Sequence, residues 1–153
     1  MEKYYTPTLE EFHIGFEFEQ KAGFGDGTVK TTEQYEIAEW IKRVFSTNEA
    51  PYLERTMTGR NSVLHPPAVR VKYLDQEDIE SLGWNRTSLK QRFHFNQDLK
   101  NLTFPHYVLE FFQDDIIEIF KLNYEGGKRY VQFFGTLKNK SELKRLMQQI
   151  GIK

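Results

Sequence analysis

Three runs near the C-terminus decide the fold: Tyr107-Val108-Leu109-Glu110-Phe111-Phe112, Ile116-Ile117-Glu118-Ile119-Phe120-Lys121-Leu122 and Tyr130-Val131-Gln132-Phe133-Phe134-Gly135-Thr136-Leu137. Each is rich in β-branched and aromatic residues, and each is bounded by turn chemistry, Gln113-Asp114-Asp115 and Asn123-Tyr124-Glu125-Gly126-Gly127. Together they read as a three-strand antiparallel meander. With Asp114 and Glu125 each at the middle of a three-residue loop, the register puts Leu109, Phe111, Ile117, Ile119, Val131 and Phe133 on one wholly apolar face. The other face then carries the rows Phe112-Ile116-Phe134, Glu110-Glu118-Gln132 and Val108-Phe120-Tyr130. Asn139 and Glu142 open a helix over about Lys140 to Ile150. Its Leu143, Leu146, Met147 and Ile150 share the face that packs on the sheet, and Gly151 ends it.

Working outward, Ala68 to Leu74 alternates Val69, Val71 and Tyr73 against Arg70 and Lys72, a strand with a basic outer side. Asp75 and Asp78 form a capping pattern for a short helix that Gly83 ends before Trp84. Residues 85 to 105 scatter Phe93, Phe95, Leu99, Leu102 and Phe104 among polar neighbours, which fits a short strand and a loop. From Glu11 to Gln20 a strict alternation with Phe12, Ile14, Phe16 and Phe18 on one side predicts another strand. Asp26-Gly27 would then reverse the chain into Thr28-Val29-Lys30-Thr31. Between Thr32 and Phe45 a helical face of Ile37, Ile41, Val44 and Phe45 competes with a period of two through Tyr35, Ile37, Ile41 and Phe45; helix is the reading taken, with Thr32 as its cap. Residues 46–67 have little periodicity and read as a long irregular loop.

The whole chain of 153 residues fits one α+β domain. It has no cysteine, which excludes disulfides, thiolate metal sites and thiol nucleophiles. Lys and Arg total 21 against 22 for Asp and Glu, so no global field draws it to nucleic acid or an anionic membrane. With no apolar leader or span, the expectation is a cytoplasmic protein with no membrane contact. Phosphate-loop, dinucleotide and nucleophile-elbow motifs are absent, and His13, His65, His94 and His106 show no metal-ligand spacing. No catalytic residue, metal or cofactor is therefore expected.

Glu110 and Glu118 face each other in this register and repel if both are ionised, so a shared proton, a divalent cation or a basic residue from another element must relieve them. Were they merely a solvated stripe, Glu118→Gln would be neutral or slightly stabilising. If instead they gathered a cation, the chain would be a small metal-dependent enzyme using sheet-face glutamates. Arg70 and Lys72 beside Lys138, Lys140, Lys144 and Arg145 would make a basic patch for nucleic acid. The reading preferred over both is a non-catalytic protein-interaction module, binding another protein or itself through the aromatic patch Phe112, Phe120, Tyr130 and Phe134.

Two resemblances bear on this. Gly15-Phe16-Glu17-Phe18-Glu19 is similar to the opening strand of the glutamate–cysteine ligase and amidoligase families, where such glutamates hold nucleotide-bound magnesium. The chain lacks the downstream arginine and glutamate motifs of those families, and the outward face of an edge strand is the simpler account of Glu17 and Glu19. Glu11-Phe12-His13-Ile14-Gly15-Phe16-Glu17, Arg70 to Trp84 and Lys138-Asn139-Lys140-Ser141-Glu142-Leu143-Lys144 resemble small uncharacterised proteins of Bacteroides-type gut bacteria and their tailed phages. That likeness implies a phage-associated accessory or host-defence-modulating protein, in the bacterial host cytoplasm or on the virion, with no activity to carry over.

Overall fold

The computed structural model describes residues 3–23, 31–48, 68–88, 91–95, 106–113, 116–123 and 127–152. Most of the return strand expected at Thr28-Val29-Lys30-Thr31 and most of the irregular loop expected over 46–67 lie outside them; Thr31 itself caps a helix. The chain is α+β and forms two compact units, Met1–Tyr73 and Leu74–Lys153. Each carries its own antiparallel sheet and its own apolar cluster.

In the first unit, β1 (Tyr4–Tyr5), β2 (Glu17–Lys21), β3 (Trp40–Val44) and β4 (Val69–Lys72) form a sheet in the order β1-β4-β2-β3. The alternation that suggested a strand from Glu11 yields only β2. Leu9–Glu11 is a single 3₁₀ turn, and Gly15 takes a positive φ of 87° that breaks the extended chain, leaving Ile14 exposed while Phe16 and Phe18 are buried. Nor is β2 an edge, since it lies between β4 and β3. The ambiguous segment resolves into both of its readings in succession. Thr31, one residue before the expected cap, accepts a bond from the Gln34 N–H and opens α1 (Thr32–Ile37); β3 then pairs with β2 along its length. Ile37 and Val44 are exposed, so the apolar face expected of one long helix does not exist.

In the second unit, α2 (Gln76–Ser81) has the expected Asp75–Asp78 box, with the Asp75 carboxylate accepting from the Asp78 N–H at 3.0 Å. Gly83 follows at φ 91°, where a Cβ would stand 3.1 Å from the Phe95 ring. The sheet runs β5 (Asn85–Arg86), β6 (Arg92–Phe95), β7 (His106–Gln113), β8 (Ile116–Leu122) and β9 (Arg129–Thr136), each neighbour antiparallel to the next. On its core face Phe93, Leu109, Ile117 and Ile119 pack with Trp84 and with Leu143 and Met147 of α3 (Lys140–Gln149), and the Trp84 indole N–H points at the Met147 sulfur, 3.3 Å away. Asn139 caps α3 through the Glu142 N–H. The Glu142 carboxylate, however, receives its bond from Lys138 N–H.

The expected register holds between β7 and β8, where Leu109–Ile119, Glu110–Glu118 and Phe111–Ile117 are direct neighbours; it lapses only at a bulge between Phe111 and Gln113. Between β8 and β9 it is corrected. A second bulge makes Gln132 an extra residue, so Ile119 faces Phe133 and Phe120 faces Val131. Val131, expected in the core, is therefore turned out and 54% exposed, while Phe133 remains packed against the core.

Candidate functional site

The β9 bulge also redistributes the aromatic patch. Phe112 and Phe134 lie on one side of the sheet, 5.8 Å apart in an edge-to-face contact, and are 55% and 61% exposed. Val131 joins that side as the partner of Phe120, taking the row position expected of Tyr130. Tyr130 faces Lys121 on the opposite side and is also exposed. Phe120 is only 4% exposed and offers no surface. Of the four aromatic residues singled out from the sequence, the structure brings two together, sends one to the other face and buries the fourth. Val131 is the member that sequence reasoning missed. The signal for it, one unpaired residue in β9, has no periodic signature.

Beneath this surface stands a charge network. Glu110 and Glu118 are cross-strand neighbours, as their register requires, and the relief is an arginine. The Arg129 guanidinium donates to Glu118 Oε2, lies 3.7 Å from Glu110 Oε2, and stacks on the Phe120 ring with its Cζ 3.9 Å from the centroid. Arg92 meets Glu110 Oε1 from β6. That oxygen is buried, so the guanidinium of Arg92 balances its charge out of contact with solvent. Two positive groups thus balance two negative ones.

On the same side of β6 and β7, His94 and His106 meet through His94 Nδ1 and His106 Nε2, with ring centroids 4.4 Å apart. Burial is the first cause that lowers both pKa values; Arg92 adds to it at His94 against the opposing pull of Glu110, and His94 adds to it at His106. One ring donates and the other accepts, an arrangement that doubly protonated rings cannot keep. Their separation by twelve residues concealed this pair from any motif search. Among the described residues no cluster of three or more histidines or carboxylates could hold a metal.

The first unit accounts for Arg70. Its Nε donates to Glu19 Oε2 at 2.7 Å, and its guanidinium is sandwiched between Tyr4 and Trp40, 3.9 and 4.0 Å from the ring centroids. Lys72 is half-buried opposite Tyr4. Lys138, Lys140, Lys144 and Arg145 belong to the other unit. The glutamates of the ligase-like string part company likewise: Glu19 is held by Arg70, and Glu17 is exposed opposite Val44.

The exposed apolar surface lies toward the outer rim of the second sheet. Among the described residues no helix is long and apolar enough to cross a membrane. No protein-family model, curated protein or solved structure matches the chain.

Proposed function

We propose that this chain is a non-catalytic protein-interaction module whose docking element is β9. The observation that carries the reading is the exposure of Phe112, Val131 and Phe134 on one face of the second sheet, beside β9, whose outer edge pairs with no other described strand. Edge strands in folded proteins are ordinarily kept short or charged. Here β1 and β5 are two residues each, and β3 carries Lys42 and Arg43, whereas β9 is eight residues long with no charge from Tyr130 to Thr136. An unguarded edge flanked by aromatic side chains is the platform that strand addition uses: main-chain bonds give affinity and alternate side chains give selectivity. The enzyme reading loses its residues because Glu110 and Glu118 already balance Arg92 and Arg129. The nucleic-acid reading loses Arg70 to Glu19 and its two rings.

The resemblance to small proteins of gut bacteria and their phages supports the setting of a phage-associated accessory or host-defence-modulating protein. The test is affinity capture from infected or lysogenic cells with the wild-type chain and with Phe134→Lys, followed by mass spectrometry. A partner held by the first and lost by the second is the expected result. Identical sets from both would overturn the reading.

A further inference from the structure

We propose that β9 pairs antiparallel with β9 of a second copy of this chain, about a two-fold axis between Gln132 and Phe133; the inference rests on β9 being the docking element. The reason lies in which residues turn their main-chain groups outward. The Asn123 N–H donates to the Lys128 carbonyl at 3.1 Å, bracketing the Leu122–Arg129 pair, so Arg129 directs its own N–H and C=O away from β8. The same holds at every second residue of β8, whose partners are Val131 for Phe120, Phe134 for Glu118 and Thr136 for Ile116. In a regular strand the outward positions would be 129, 131, 133 and 135. The extra Gln132 shifts the phase, and the outward set becomes Arg129, Val131, Phe134 and Thr136.

That set is symmetric about the Gln132–Phe133 peptide. A second β9 laid antiparallel on the first therefore brings Val131 opposite Phe134 and Arg129 opposite Thr136, twice each. Every one of these pairs has its main-chain groups aimed at the other, so the seam forms the narrow, doubly bonded pairs of an antiparallel ladder. The side chains agree with the main chain. Val131 and Phe134 share one face of the sheet, so an exposed aliphatic side chain meets an exposed ring across the seam, with Phe112 beside that ring. No like charges meet: the one charged residue of the strand, Arg129, faces Thr136 of the other copy and is held by Glu118. Such a contact is isologous, using the same patch on both copies.

The experiment is sedimentation velocity of the full chain over a concentration series, for wild type, Val131→Lys, Phe134→Glu and an equimolar mixture of the two variants. Circular dichroism checks that each is folded. The wild type is expected to shift from monomer to dimer with rising concentration. Each variant alone is expected to weaken the dimer by about a hundredfold, since two charges enter the seam. The mixture is expected to recover dimer, because the introduced lysine of one copy then faces the introduced glutamate of the other while the second Val131–Phe134 contact stays native. In the wild type, the amides of Val131 and Phe134 should also exchange more slowly at high concentration than at low. A wild type that stays monomeric throughout overturns the self-pairing, as does a dimer indifferent to both variants or a mixture that fails to recover. The capture experiment judges the docking reading separately, so self-pairing can fail while β9 still holds a different protein.

Discussion

Arg129 is the residue on which the second face of the larger sheet depends. It holds Glu118, lies near Glu110 and covers the Phe120 ring. From sequence alone Glu118→Gln should be neutral or slightly stabilising, because it removes a like-charge contact. With Arg129 in place the sign reverses, since the substitution leaves a guanidinium facing an amide. We expect Arg129→Gln to cost about 1–3 kcal/mol, less than for a fully buried pair because Arg129 is partly exposed, and Glu118→Gln somewhat less. Urea midpoints would measure both. The double variant should recover part of the loss, the signature of coupling. Added Mg²⁺ should leave the melting temperature unchanged; a rise abolished by Glu118→Gln would mean the carboxylates prefer a cation to the arginine. The histidine pair sets the pH response. Both folded-state pKa values are lowered, so the unfolded chain binds more protons as the solution turns acidic. Stability is then full above the unfolded value of about 6.5 and falls as pH drops through the lowered folded values. His106→Asn should flatten that fall in thermal melts taken across the acid range. The glutamate contact was legible from strand register alone. Its arginine and the histidine pair were not, because both are set by where β6 and β9 land beside their neighbours.

At the scale of elements, the β7–β8 hairpin, α2 and α3 follow directly from period and caps, which are local properties of the chain. Ile119→Ala should cost about 2–5 kcal/mol as a large-to-small change at a fully buried position, whereas Lys144→Ala on the exposed side of α3 should cost little. Equal denaturant midpoints for the two would contradict the packing described. What periodicity did not reveal was interruption. Gly15 ends the alternation that runs back to Glu11, the segment after Thr31 changes from helix to strand within two residues, and Gln132 adds one residue to β9. Each is an event of one or two residues, and a pattern averaged over a window passes across it. Val131 shows the consequence: the period that correctly buries Ile117 and Ile119 assigns it to the wrong face.

At the scale of the molecule, the described apolar residues collect in two clusters of unequal size. The cluster of Leu74–Lys153 contains twelve buried residues, and that of Met1–Tyr73 contains Phe16, Phe18, Val69 and Val71. Amides of β7 and β8 should therefore exchange with solvent at a higher opening free energy than those of β2 and β4, which native-state hydrogen exchange would resolve. One common value for all four strands would mean that the units open together. The far margin of the larger sheet matters for a different reason. β5 is two residues long, so opposite β9 there is almost no strand left to template another chain. A protein with two long open margins can add copies indefinitely and become a fibril; with one margin reduced to a stub, growth ends after a single joining step. Under the pairing proposed for β9, the brevity of Asn85–Arg86 thus acts as a chain terminator that confines the assembly to a finite size.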